Sequence, residues 1–159
     1  MDRRRFLQHA FGTGLVLAAG PAIVRAQGAG AAAALPAMTV YKSATCGCCR
    51  NWVQHARGAG FPVRVVDTED LDRVKAELGV PLALQSCHTV VVGAYLIEGH
   101  VPAADVKALL ARKPAVRGLA VPGMPVGAPG MEQGDPRDYD RYDVIAFTAA
   151  GRTSVFARH

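Results

Sequence analysis

Three thiols stand within four residues at Cys46-Gly47-Cys48-Cys49, between the β-rich run Thr39-Val40-Tyr41 and a stretch where Trp52, Val53 and Ala56 recur at helical spacing. A strand that passes into a helix through C-x-x-C constrains the fold more than any other feature of this chain. At a helix start, the unpaired N–H groups and the positive end of the dipole favour thiolate, which is both nucleophile and metal ligand. A redox pair needs only Cys46 and Cys49. Cys48 is surplus to it, and so is the fourth cysteine, Cys87.

The elements that follow alternate. The first helix runs to about Ala59 and Gly60 closes it; Val63-Arg64-Val65-Val66 reads as a second strand. Asp67 or Thr68 can cap a second helix, whose start is favoured by the acids Glu69, Asp70 and Asp72. Leu71, Val74 and Leu78 give that helix one apolar face, and Gly79 with Pro81 stops it. Thr89–Val92 and Tyr95–Ile97 flank Gly93-Ala94, a two-residue hairpin turn. Pro102 opens a third helix with Val106, Leu109 and Leu110 on one side. The result is an α/β domain of order β-α-β-α-β-β-α, the succession of the thioredoxin/glutaredoxin core, with the cysteine motif where those folds place theirs. Past Lys113 the chain is Pro/Gly-rich through Val121-Pro122-Gly123-Met124-Pro125 to Met131. A C-terminal β-hairpin then pairs Val144–Phe147 with Thr153–Phe156.

The N-terminus reads as an address. Arg3-Arg4-Arg5 precede the apolar run Gly14–Ala19, and Val24-Arg25-Ala26 ends in the small residues of a cleavage site, so residues 1–26 are expected to be an export signal. Arg3-Arg4 followed by Phe6-Leu7 resembles the twin-arginine motif. Residues 27–37 are Gly/Ala-rich and read as a flexible linker, leaving 38–159 as the domain. The 18 Lys+Arg against 13 Asp+Glu give a net charge of +5. Four of those bases and one acid lie in the signal, so its removal leaves +2 with no basic block. Nucleic acid is therefore not expected as a partner, nor is a membrane span once the signal is gone.

In such a core the third strand runs antiparallel to the first, which brings Gln85-Ser86-Cys87-His88-Thr89 beside the C-x-x-C motif. That stretch holds no proline where thioredoxins carry one. The fourth strand returns to the same edge and ends at Glu98-Gly99-His100. Three uses of the cysteines compete. Two disulfides would suit an exported chain, but adjacent Cys48 and Cys49 are awkward partners. A periplasmic thiol–disulfide oxidoreductase would use Cys46 as nucleophile and Cys49 as resolving thiol, and would leave Cys48 and Cys87 idle. A thiolate metal site uses all four, either around one zinc ion or, since adjacent cysteines diverge, as bridging ligands for Cu(I). Met124 and Met131 offer thioethers of the kind Cu(I) accepts, and His100 offers an imidazole.

Val40-Tyr41-Lys42-Ser43, Thr45 to Cys49, Ser86-Cys87-His88-Thr89, Glu98-Gly99-His100-Val101-Pro102 and Val121–Pro125 together resemble a group of small periplasmic proteins. These are known as an uncharacterised metal-binding domain that overlaps the CopG-type copper-resistance proteins. The resemblance covers about Met38 to His159 and implies a thioredoxin-like fold, copper handling in the bacterial envelope and a copper-binding cysteine cluster. Residue by residue, it places the ligand role on Cys46, Cys48, Cys49 and Cys87.

The chain is thus expected to be an exported copper-binding protein of the periplasm, not an enzyme in its first reading. It would hold Cu(I) on those four thiolates, with His100 and Met124 completing the site and envelope copper-handling proteins as partners. His88 should face away from Cys87 if strand alternation holds, and His55 reads as a solvated surface histidine. Glu69-Asp70-Leu71-Asp72 reads as helix capping, and Asp135, Asp138, Asp140 and Asp143 as a solvated turn.

Overall fold

Alternate residues of β1 (Met38–Lys42) point to opposite faces of a sheet, so Met38, Val40 and Lys42 are buried while Thr39 and Tyr41 are half-buried. The computed structural model describes residues 34–159; the export signal read over 1–26 and linker residues 27–33 lie outside the described residues. Of the linker's end, Leu35 packs against the core.

After β1 come α1 (Gly47–Gly58), β2 (Val63–Asp67), α2 (Leu71–Leu78), β3 (His88–Val92), β4 (Tyr95–Glu98) and α3 (Ala103–Arg112). β5 (Gly118–Ala120), β6 (Asp143–Phe147) and β7 (Thr153–Arg158) follow. The mixed sheet has seven strands in the order β2-β1-β3-β4-β5-β6-β7. β1–β2 and β4–β5 are parallel and are joined through α1 and α3; the remaining pairs are antiparallel. The order β-α-β-α-β-β-α and the closing hairpin are as expected from sequence, and Gly93 makes the β3–β4 turn at φ +57°.

Three local readings are corrected. Gly118-Leu119-Ala120, read as part of a Pro/Gly-rich loop, is a three-residue strand that joins the core sheet to the C-terminal hairpin. It is too short to carry a periodicity of its own. The cap of α2 is Asp70, whose side chain accepts from the Arg73 N–H. Asp67 instead ends β2 and pairs with Lys42 at 2.6 Å, while Thr68 accepts from the Asp70 N–H. The residue of α2 that is fully buried is Lys75, with Leu71, Val74 and Leu78 only half-buried around it.

The two sheet faces carry separate cores. Trp52 and Val53 of α1 and Val106 and Leu109 of α3 pack with Val40, Val90, Ile97 and Leu119. On the opposite face Val80 and Leu84 cover Leu96, Ala120 and Phe147. Pro102 is the N-cap residue of α3 and makes no side-chain capping hydrogen bond. Its Ala103 N–H donates across the fold to His55 Nε2 at 3.0 Å. His55 is therefore half-buried and structural, not a solvated surface histidine, and burial lowers its pKa. Because the folded state favours the neutral ring, the stabilisation is present above the ordinary imidazole value of about 6.5 and is lost as pH falls below it. His55→Gln, which keeps an acceptor but not the titration, should flatten the decline in unfolding free energy between pH 7 and 5. His55→Ala should cost about 1 kcal/mol at pH 7, the scale of a lost N-cap.

Register brings several strand ends together. Lys42, the last residue of β1, is opposite His88, the first of β3, and Glu98 at the end of β4 is opposite both Thr89 and Ala120. The segments leaving β1, β4 and β5, and the segment entering β3, therefore meet at one end of the sheet.

Candidate metal centre

Ser43 to Thr45 turn the chain out of β1 and into α1, with the Cys46 N–H donating to the Ser43 carbonyl at 3.1 Å. Cys46 is the N-cap residue of α1, and its Sγ accepts from the Cys49 N–H at 3.2 Å. A sulfur thus does what a serine or aspartate oxygen commonly does at this position. Cys48 and Cys49 fall in the first turn. Cys49 is buried, and the other two cysteines of the motif are half-buried.

Cys87 closes the group from the far side, directly before β3. The four sulfurs lie within 4.8 Å of one another. Cys46 and Cys49 are joined as a disulfide with Cα atoms 5.4 Å apart, whereas Cys48 and Cys87 are free thiols. Cys48 Sγ is 3.4 Å from Cys46 Sγ and 3.8 Å from Cys87 Sγ. Two disulfides are not what is found. A four-thiol centre requires the Cys46–Cys49 bond to be reduced.

His100 stands against Cys87, with Nε2 at 2.9 Å from its Sγ, while Nδ1 is 2.8 Å from the Pro129 carbonyl. A carbonyl only accepts, so the proton sits on Nδ1 and the Nε2 lone pair faces the sulfur. Burial pushes the Cys87 thiol up to about 12, with the neighbouring Cys48 adding to the rise. Burial also lowers His100, against the opposing influence of the Pro129 carbonyl and Glu132. Both shifts favour neutral partners, so the Cys87 S–H donates to Nε2. A ring held by a carbonyl through one nitrogen and offering the other to a thiol-lined space is the usual setting of a ligating histidine.

His88 departs from the alternation expected for it. Its Nδ1 lies 3.5 Å from Cys87 Sγ, and Cys87, His88 and His100 form a second group of metal-type ligands within 4.8 Å. The physical reason is that β3 begins at His88, leaving Cys87 outside the pleat, free to turn its side chain toward the same space. The ring of His88 is fully buried against Trp52, with centroids 4.7 Å apart, and meets His100 edge-on at 5.0 Å. Burial drives its pKa well below the ordinary value, and the neighbouring His100, Lys75 and Lys42 push it the same way. Among the described residues, His88 Nε2 is the buried side-chain nitrogen or oxygen without a hydrogen-bond partner.

The segment 121–131 passes over this end of the sheet. Ser86 Oγ donates to the Gly123 carbonyl at 2.5 Å, and Trp52 Nε1 donates to the Val101 carbonyl at 2.9 Å. Gly130, at φ +87°, lies so close to α1 that a Cβ there would be 2.7 Å from Trp52 N and 2.8 Å from the Cys48 carbonyl oxygen. Met124 is 55% exposed on this segment, and Met131 is half-buried with its N–H donating to the Ala128 carbonyl. Of the acidic runs, Asp70 caps α2, Asp135 accepts from the Arg137 N–H and Asp140 holds the Val126 N–H, whereas Asp143, read as part of the solvated turn, is the first residue of β6 and pairs with Arg158 of β7.

Beneath Cys87, on the face covered by α2, a polar cluster was not foreseen. Glu98 accepts from Lys75 Nζ at 2.5 Å, from the Ser86 N–H at 2.7 Å and from Thr89 Oγ1 at 2.6 Å, and Lys75 Nζ also donates to Thr89 Oγ1 at 2.9 Å. The side chains of Lys75 and Glu98 are 3% and 0% exposed. Burial raises the Glu98 pKa, and Lys75 opposes that rise. A lysine on the inward side of a helix and a glutamate ending a buried strand are the sequence signals that could have revealed the pair.

Residues 84–131 match a family described as "Protein of unknown function, DUF411". Two solved structures, titled copper resistance protein copG form 1 and form 2, each superpose with a TM-score of 0.73 at 46% sequence identity. Each match covers 79% of this chain and 98% of the other. No curated protein matches by sequence.

Proposed function

This chain belongs to the family of the copper resistance protein CopG, and we propose from that premise that it is an exported protein that holds Cu(I) in a cysteine-thiolate site. The observation that carries the reading is the convergence of four sulfurs from two separate segments, with a histidine nitrogen aimed at one of them. Soft thiolates select Cu(I) over harder ions, while zinc would need the same four sulfurs around one tetrahedral centre. Cys46, Cys48, Cys49 and Cys87 are the proposed thiolate ligands in the reduced protein. His100 Nε2 is the proposed nitrogen ligand, and Met124 is a thioether candidate on the exposed side. Binding displaces the Cys87 proton, which burial otherwise retains, so metal uptake releases protons.

The core strands β2-β1-β3-β4 with their helices read as thioredoxin-like, and the N-terminal pattern of residues 1–26 reads as twin-arginine export to the periplasm. Among the described residues no helix is long and apolar enough to cross a membrane. In the periplasm the protein would exchange copper ions with envelope copper-handling proteins. A second reading draws on the Cys46–Cys49 disulfide: a thiol–disulfide oxidoreductase of the same compartment.

Metal analysis with free-thiol counting on protein recovered folded from the periplasm tests the first reading. After reduction and anaerobic Cu(I) loading, copper should be retained through gel filtration with all four thiols protected from alkylation. Protein with two disulfides that takes up no copper after reduction would overturn it.

A further inference from the structure

We propose that Glu98 is a positioning residue for the thiol site: it holds the Ser86 N–H and thereby fixes Cys87 against His100. The purpose of this device rests on the copper-thiolate reading, but its principal test does not. One buried carboxylate reaches three parts of the fold. Its Oε1 takes the Ser86 N–H and the Lys75 ammonium, and its Oε2 takes the Thr89 hydroxyl. Ser86 is the residue before Cys87, Thr89 is the second after it, and Glu98 itself is two residues before His100. The two groups that meet at 2.9 Å are therefore carried by segments tied to the same carboxylate.

Stability alone is a poor reason for such a pair. Withdrawing both charges from water costs more than a well-packed apolar pair would, so a buried ion pair is commonly neutral or unfavourable for folding. What it supplies is direction. Cys87 lies outside β3, where no ladder hydrogen bond sets its backbone, and the Ser86 N–H is the nearest donor upstream of it. Lys75, brought from α2, sets its ammonium against the same oxygen that takes the Ser86 N–H and so holds that oxygen in place.

The test compares K75M/E98M with K75M/E98Q. Both remove the charges, but only glutamine keeps an oxygen that can accept from the Ser86 N–H. In reduced, metal-free full-length protein, the alkylation rate of Cys87 is read against that of Cys48 by peptide mass spectrometry. Cys48 lies on α1, outside the segments Glu98 holds, so general loosening moves both rates and leaves their ratio unchanged. The ratio should rise about tenfold in K75M/E98M and stay within about twofold of wild type in K75M/E98Q, the scale of one buried hydrogen bond. Equal ratios in the two variants would overturn the proposal. Should K75M/E98M fail to fold, hydrogen exchange of the wild-type protein decides: the Ser86 amide should be strongly protected, and exchange at the rate of a solvated loop amide would overturn the proposal without any variant. Competition for Cu(I) against a chelator separates the two ideas. K75M/E98M should bind more weakly at unchanged stoichiometry; a wild-type protein that binds no Cu(I) would defeat the copper reading and leave the alkylation ratio to judge the role of Glu98.

Discussion

Serine at position 48 or 87 should abolish stoichiometric Cu(I) binding in a domain that still folds. Both cysteines are half-buried free thiols, so replacing sulfur by a hydroxyl removes little packing. The chemical change is large. A serine hydroxyl is hard and stays protonated, whereas the ligand that the copper reading requires is a polarizable thiolate. Losing an outer-shell partner already costs roughly 10–100-fold in metal affinity, and losing a ligand should exceed that. Neither substitution removes a sulfur of the Cys46–Cys49 pair, which gives the experiment its discrimination. On the copper reading both variants lose Cu(I), measured by chelator competition. On the oxidoreductase reading both retain insulin-reducing activity comparable to wild type. Met124→Leu is the graded comparison: it should keep the stoichiometry and weaken affinity, and an unchanged affinity and spectrum would remove Met124 from the site.

The parts of this fold written in local patterns were legible in sequence. The C-x-x-C motif between a β-rich run and a helix, the Gly93-Ala94 turn and Pro102 before α3 each specify backbone conformation within a few residues, and each stands where expected. The approach of Cys87 to the motif was legible too, because antiparallel pairing of β1 with β3 forces the end of one beside the start of the other. Interactions made across the fold were not legible. His55 reads as a surface residue in the sequence because nothing near it in the chain indicates that the N–H of Ala103 will face it. Strand alternation turns His88 away from Cys87, but that alternation fails one residue outside the strand. Lys75 and Glu98 each break an apolar pattern, but only the packing of α2 on the face of β3 and β4 shows that they answer one another. β5 depends wholly on its neighbours, being too short to show a period.

Gly130→Ala should destabilise the domain and open the site together, because one backbone position serves both. At φ +87° a side chain is strained, at a cost of about 1–2 kcal/mol. The new Cβ would also stand 2.7 Å from Trp52 N and 2.8 Å from the Cys48 carbonyl oxygen, and helix backbone cannot yield as a side chain can. Overpacking of this kind costs a further 1–3 kcal/mol or so, for a total near 3 kcal/mol and a Tm lowered by roughly 10 °C in a domain of this size. The alternative to absorbing the clash is for segment 121–131 to lift from α1. That movement carries away the Pro129 carbonyl, which fixes the proton on His100 Nδ1 and leaves Nε2 for Cys87. Freed of that partner, the ring can rotate or change tautomer, and Cu(I) affinity should fall even in samples held well below the melting transition. Gly134→Ala is the control: Gly134 also has positive φ, at +76°, but no atom lies within 4 Å of its added Cβ. It should show the backbone strain alone, with Cu(I) affinity unchanged. Equal losses in the two variants would show that φ strain, not contact of the segment with α1, governs the effect.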